Sequence, residues 1–367
     1  MTNWDFYENI PDFHPIADAN NIFAGFKKTR QSSAWKTSVQ RFRWNKVREV
    51  RKLQIGLDNM QHERKGAYEL SPYSCFNVNE RGKTRAITAL GVSDRTVKNV
   101  LNVEYLLPHI RPHLIYDNGA SLEGRGVSLT RRRLQAHLEG FYRETRSNEG
   151  YILTVDFSGY YDNIDHSEAM RIVEKYEDDE FARMLVKQAI NSYKIDVSYM
   201  SDKEFEEAKT SKFSTVEYRN QRHTDNELRG EKFLHKSLSV GDPTSQVIAI
   251  TFPTEIDNLV KVVYSIKWYG RYMDDFYIIA KTKEELQFIL SKIMNVADKL
   301  KIIINPKKTK IQKLSQTFTF LQFKYYLSET GHVVTRINPK TVTRMRHRLK
   351  KLHKLLLKCK VSLSKIE

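Results

Sequence analysis

Three carboxylates in this sequence are placed where they could hold divalent metal. Asp156 closes the short β-branched run Tyr151-Ile152-Leu153-Thr154-Val155, and Asp274-Asp275 follow Met273 between the apolar runs Ile266 to Tyr272 and Phe276 to Ala280. Nucleotidyl transfer onto a hydroxyl uses two divalent cations about 3.5–4 Å apart, one activating the attacking 3′-hydroxyl and one holding the triphosphate. Magnesium takes oxygen ligands, usually one or two carboxylates with phosphates and water. Carboxylates from two separate strands, set side by side, meet that need. By itself Asp-Asp in a turn is ordinary turn chemistry, because Asp favours such positions. The company of the pair argues otherwise. Asp156 is followed five residues later by Tyr161, and the turn Gly241-Asp242-Pro243-Thr244-Ser245-Gln246 lies between the two acidic segments.

The strands and helices around these groups are legible in outline. Period-two patterning over Cys75 to Val78 and Thr84 to Ile87, around Asn79-Glu80-Arg81-Gly82, predicts a hairpin that carries Lys83 and Arg85 on its second arm. A helical run from Val97 to Leu107 is expected to stop at Pro108, with irregular backbone through Gly119, Gly124 and Gly126. Tyr151 to Asp156 reads as a strand, Ser167 to Tyr176 as a helix, and about 196–236 as a polar excursion of weak periodicity. The runs on either side of Met273 make a hairpin with acids at its tip. An amphipathic helix follows from Lys283 to Leu300, with Leu286, Ile289, Leu290, Ile293, Met294 and Ala297 on one face, then a strand over Lys301 to Ile304. Phe318 to Leu327 and Gly331 to Ile337 form a last hairpin, and a basic helix begins at Lys340 with Leu349, Leu352, Leu355 and Leu356 as its stripe. Near the start, Val39, Phe42, Val47 and Val50 suggest one helix with a buried face inside a basic stretch, either a solvated surface or an RNA-contacting arm. Hairpins mixed with helices give an α+β fold rather than a doubly wound one.

Composition sets the class of partner. The 367 residues carry 61 Lys and Arg against 44 acids, a net charge of +17, which suits a polyanion. No apolar run reaches the roughly 18–20 residues of a spanning helix, so no membrane role is expected. Met1 to Asp5 lack the layout of a secretory signal, and Cys75 and Cys359 offer neither a disulfide framework nor a cysteine zinc site. A cytoplasmic protein is expected.

Val155-Asp156-Phe157-Ser158-Gly159-Tyr160-Tyr161-Asp162-Asn163-Ile164 resembles the first palm motif of the reverse transcriptases, and Tyr272-Met273-Asp274-Asp275 resembles their catalytic box. The resemblance runs in order from about Asn79 to Arg348. It implies a right-hand polymerase: an N-terminal basic helical extension over 1–70, fingers over 71–150, a palm with antiparallel sheet over 151–332, and a short helical thumb over 333–367. It implies an RNA-directed DNA polymerase with two Mg²⁺ ions, Mn²⁺ as a substitute, deoxynucleoside triphosphates as substrates, an RNA template and a DNA product. Asp156 and Asp274 would be the principal metal ligands, with Asp275 close behind and the Phe157 carbonyl helping. Tyr161 falls at the steric gate that excludes a 2′-hydroxyl, although its surroundings alone would suit a core tyrosine. Lys83 and Arg85 resemble the fingertip cations that bind the triphosphate, where exposed hairpin charge is the plain alternative. Gly241 and Gln246 belong to the turn that packs against the incoming base. Lys308 falls near the leaving pyrophosphate as a general acid. Phe320-Leu321-Gln322-Phe323 resembles the primer-grip hairpin, with Gln322 where the family commonly has Gly.

The run Asp94-Arg95-Thr96-Val97-Lys98-Asn99-Val100 and the block Gly119 to His137 resemble bacterial members, without the Asn-Ala-x-x-His and Val-Thr-Gly marks of retron enzymes. Val240 and Gln246 depart from the commoner Gln-Gly-x-x-x-Ser-Pro form and are similar to diversity-generating and defence-associated enzymes, which implies lower fidelity or an unusual product. The resemblance thus points to an anti-phage system with a non-coding RNA. The alternatives are a diversity-generating or weakly templated polymerase, and an inactive RNA-binding scaffold that needs no metal. The leucine stripe of the basic tail would dock on a partner protein, another copy of the chain or a structured RNA to complete the thumb, or pack on the chain's own palm.

Overall fold

The computed structural model describes residues 13–31, 33–80 and 82–357. Arg81, Cys359 and the basic positions Lys358 and Lys360 lie outside the described residues. The basic N-terminal stretch folds as α1 (Ala19–Arg30), α2 (Thr37–Trp44) and α3 (Lys46–Gln61). Asp18 starts α1 by accepting the backbone N–H groups of Asn20 and Asn21. The single helix expected across Val39 to Val50 is broken at Asn45 (φ −102°, ψ 20°). The break turns Val47 outward, 69% exposed, while Val39, Phe42 and Val50 remain buried.

The expected hairpin forms as β1 (Ser74–Glu80) and β2 (Lys83–Ala89), closed by the pair Glu80↔Lys83. The next helix runs further than expected. α4 (Val92–Leu101) passes through a π turn at Asn102–Leu106 into α5 (Leu107–Ile110), with Pro108 inside the first turn of α5. The π turn shifts the hydrogen-bond ladder, so the missing N–H and bulky ring of Pro108 meet a widened turn instead of a helical carbonyl.

α6 (Val127–Thr145) leads to β3 (Tyr151–Asp156), α7 (His166–Tyr176) and α8 (Glu180–Asn191). The polar excursion has structure of its own: β4 (Ile195–Asp196) pairs with β5 (Phe233–Leu234) around α9 (Asp202–Thr210) and α10 (Thr215–Asn220). Ile195, Val197, Ala208, Phe213 and Leu234 form its small core. α11 (Pro243–Thr251) opens with Asp242 accepting the Thr244 N–H and proline in the first position, where a missing N–H costs nothing. α12 (Thr254–Asn258), β6 (Tyr269–Tyr272), β7 (Asp275–Ala280) and α13 (Lys283–Lys299) follow. The strand expected over Lys301 to Ile304 does not form. Lys301 takes φ 56°, the Ile303 carbonyl accepts the Ser158 N–H, and the strand comes later as β8 (Lys310–Lys313). Phe318 to Leu327 is divided into β9 (Phe318–Phe320) and β10 (Phe323–Leu327) because Leu321 (φ 45°) and Gln322 (φ 70°) make a tight turn. Positive φ at both central residues is the requirement of a type I′ hairpin. β11 (Val333–Ile337) and α14 (Pro339–Leu357) complete the described chain.

The fold is α+β. Packing groups the described residues into two discontinuous units: one takes in residues up to Tyr116 with Phe157–Leu259 and Asn295–Ile303, the other Asp117–Asp156, Val260–Met294 and residues from Ile304 onward. The second unit holds the antiparallel sheet β6-β7-β3-β8 and the sheet β11-β10-β9. Leu134, Leu138 and Phe141 of α6 pack with Ile152, Tyr277, Ile279, Phe318 and Tyr325 of these strands. Truncating one such aromatic to Ala removes roughly 3–5 kcal/mol. No described residue of α14 is buried: in its leucine stripe Leu349 is 60% exposed and Leu352 and Leu355 are half-buried. Among the described residues no helix is long and apolar enough to cross a membrane.

Candidate active site

The acidic cluster is built by strand register in the second unit. Asp156 ends β3 and is the cross-strand partner of Asp275, which begins β7. Opposed residues of an antiparallel pair have Cα atoms roughly 4.5–5.5 Å apart, with side chains on the same face. β6 and β7 are joined through Met273 and Asp274, closed by the pair Tyr272↔Asp275, so Asp274 stands in the turn itself. The sheet therefore opposes Asp156 to Asp275, with Asp274 next to it in the turn.

β8 lies along the other edge of β3, starting from Thr154↔Lys310, and brings the segment before it back to Asp156. There Asn305 donates its Nδ2 to Asp156 Oδ2 (3.2 Å) and its backbone N–H to the Asp156 carbonyl (2.9 Å). Lys308 Nζ donates to Asp156 Oδ1 at 2.6 Å. Asp156, Asp275, Lys307, Lys308, Lys310 and Phe320 line a cleft of about 380 Å³. Burial, then the charges of Asp274 and Asp156, push the Asp275 carboxyl up to about 7, against a smaller opposing pull from Lys308. Burial works against the Lys308 ammonium, yet the Asp156 hydrogen bond and the surrounding carboxylates hold its pKa above the ordinary lysine value.

This donor set fits a divalent cation. It consists of carboxylate oxygens, and its strained Asp275 ionisation is what added positive charge would relieve. Among the described residues no three His, Cys, Asp or Glu side chains already converge as a metal cage.

The other expected site residues lie in the first unit. Phe157 is buried with its ring 5.4 Å from that of Tyr160. Tyr161 is half-buried, edge-on to Tyr160 at 6.0 Å, and its carbonyl accepts the Leu238 N–H at 2.8 Å. Lys83 and Arg85 are exposed on β2, with Arg85 Nε 3.4 Å from Glu80. Gly241 takes φ 110°, beside the contact where Val240 bridges Ile87 and its carbonyl accepts the Thr88 N–H of β2 at 3.4 Å. Gln246 is exposed on the first turn of α11. A buried pair supports that turn: Lys98 Nζ lies 2.8 Å from Asp242 Oδ2, which also accepts the Tyr193 hydroxyl at 2.5 Å.

Sequence reasoning missed Asn305, Lys98 and Arg271. Asn305 had a signal, the Asn-Pro turn before the lysines. Lys98 and Arg271 had none, because nothing local marks a cation for burial.

A family model described as reverse transcriptase (RNA-dependent DNA polymerase) matches residues 76–325. No curated protein matches the sequence. Among solved structures the chain is similar to apo telomerase from Candida Tropicalis, with TM-score 0.49 and 12% identity over 72% of this chain and 48% of that one. It is also similar to that telomerase truncated from its C-terminal domain, with TM-score 0.43 and 13% identity over 72% of this chain and 55% of that one. The chain spans about half the length of these telomerases. With the match running through β1, the acidic strand end, the Asp274-Asp275 turn and the β9–β10 hairpin, the chain belongs to the reverse transcriptase (RNA-dependent DNA polymerase) family.

Proposed function

We propose that this chain is an RNA-directed DNA polymerase that joins deoxynucleotides to a primer 3′-hydroxyl. The observation that carries the proposal is the opposition of Asp156 to Asp275, beside Asp274 in the adjoining turn, with Lys308 on Asp156. Asp156, Asp274 and Asp275, with the Phe157 carbonyl, would hold two Mg²⁺ ions, and Mn²⁺ would substitute. When bound, such ions supply activation of the 3′-hydroxyl and charge neutralisation on the triphosphate. Lys308 would give its proton to the departing pyrophosphate, and Asn305 keeps the Asp156 carboxylate in one orientation. Lys83 and Arg85 would grip the triphosphate, Gly241 and Gln246 would border the base, and Tyr161 would exclude a 2′-hydroxyl.

The test is primer extension on an RNA template with Mg²⁺ and either deoxy- or ribonucleotides. Wild-type protein should extend with deoxynucleotides, and Asp274→Asn should not. Extension by Asp274→Asn at the wild-type rate would remove the catalytic assignment, and equal use of ribonucleotides would remove the gate from Tyr161. The finer reading, a bacterial anti-phage enzyme with a dedicated non-coding RNA, is supported by the Asp94 to Val100 run and the Val240 to Gln246 turn. Sequencing the RNA that co-purifies with the chain tests it: a heterogeneous pool would reject it.

A further inference from the structure

We propose that Arg271 is the positioning residue of the catalytic turn, holding the Met273–Asp274 peptide in the orientation that presents Asp274 to metal. The inference rests on the polymerase reading and adds to it the device that keeps the acidic turn in shape.

Met273 is the first central residue of a two-residue turn and has φ 58°, whereas Asp274 is not among the positive-φ residues. That sign pattern is the one of a type II′ turn, whose first central position favours glycine. A methionine there is strained, and such strain persists only where the surroundings over-determine it.

Arg271 supplies the constraint. It is 0% exposed and heads the fully buried large side chains of the described residues. Its Nη1 donates to the Met273 carbonyl at 3.1 Å. That carbonyl belongs to the peptide joining Met273 to Asp274, so the bond opposes the peptide flip that would relax Met273 and swing Asp274 away. The backbone of Arg271 is anchored independently: its N–H donates to the Asp117 carbonyl at 3.1 Å, and its carbonyl accepts the Gly119 N–H at 2.9 Å. Asp117 in turn accepts Arg133 Nε at 2.5 Å and lies 3.4 Å from Lys261 Nζ and 3.5 Å from His137 Nε2. Tyr277 packs over Gly270, where a Cβ would come within 2.7 Å of its hydroxyl, and its hydroxyl bonds His137 Nδ1 at 3.0 Å. The Arg271 backbone is thus fixed to the segment that carries this polar network, while Nη1 of its buried guanidinium reaches the strained turn. Burying a charge is costly unless it is hydrogen-bonded, and the Met273 carbonyl is one of the acceptors that compensate this guanidinium.

Glycine takes a positive φ without strain, so Met273→Gly should make the turn independent of Arg271. Primer extension and thermal unfolding of the full chain are compared for wild type, Arg271→Met, Arg271→Lys, Met273→Gly and the double variant Arg271→Met with Met273→Gly. Arg271→Met should lower kcat at least about tenfold, as expected for a displaced reacting group, and raise the Mg²⁺ concentration for half-maximal rate. The deoxynucleotide KM should stay within about twofold, because the loss falls on the chemical step. With Met273→Gly as its reference, the double variant should lose far less kcat than Arg271→Met loses against wild type, and it should be faster than Arg271→Met itself. If Arg271→Met does not fold, Arg271→Lys should show the same order of effects at smaller amplitude, again relieved by Met273→Gly. A double variant no faster than its parent overturns the inference. So does an unfolding cycle in which Met273→Gly raises Tm by as much in the Arg271 variants as in wild type, because loss of the bond should already let the strained peptide relax. If wild type itself extends no primer, the polymerase reading fails separately, and the unfolding cycle still decides the role of Arg271.

Discussion

Replacing Asp275 by Asn should stabilise the metal-free protein, and by more at alkaline than at acid pH. In the folded chain the Asp275 carboxyl is pushed up to about 7 by burial and by Asp274 and Asp156, from the ordinary aspartate value of 3.8. A folded pKa above the unfolded one means that the folded protein holds a proton the unfolded chain has already lost. The charged aspartate therefore costs stability above about pH 4, increasingly up to about pH 7 and constantly beyond. At about 1.4 kcal/mol per pKa unit, the cost approaches 4 kcal/mol at pH 8 and is about 1–2 kcal/mol at pH 5. Asn keeps the shape and removes the charge, so its gain at pH 8 should exceed that at pH 5 by about 2–3 kcal/mol. Denaturant unfolding in EDTA at the two pH values measures the difference. Millimolar Mg²⁺ at pH 8 should shrink it, because added cations relieve the wild-type cluster while Asn binds them less well. A gain equal at both pH values, or none, would show that Asp275 is not crowded by its neighbours and refute the electrostatic argument for a cation site.

Lys308→Leu should slow the single-turnover rate while leaving primer binding unchanged; an unaltered rate removes Lys308 from the chemistry. Lys98→Met strands Asp242 without its ammonium at a site where that carboxylate is fully buried, and should cost about 3–5 kcal/mol in unfolding experiments. Adding Asp242→Asn should return much of that loss, and a single-variant loss below about 1 kcal/mol would show that the pair is not structural. Gln322→Gly should raise stability by about 0.5–1 kcal/mol, because glycine takes the φ of 70° at the β9–β10 turn without strain. A fall in Tm would mean that the Arg344 contact to Gln322, at 3.3 Å, outweighs the backbone gain.

Local pattern carried much of the fold. The β1–β2 hairpin, the strand ending at Asp156, the acidic hairpin and the helix from Lys283 are visible because alternation and helical spacing are properties of a few adjacent residues. Where those rules failed, non-local packing or backbone detail intervened. Pro108 was accommodated by a π turn, Asn45 broke a continuous apolar period, and Lys301 to Ile304 left the chain direction at a left-handed Lys301 while the strand edge went to β8.

Residue order alone sets the chemical inventory: three carboxylates at strand ends and a turn, lysines close behind, and the ordered motifs of a polymerase family. Folding is what sets Asp156 opposite Asp275, brings Asn305 and Lys308 in through β8, and carries a buried arginine to the turn carbonyl. The reason is physical. Which strands become neighbours, and in what register, depends on burying α6 and the sheet together, a condition spread over distant segments and written in no single one of them.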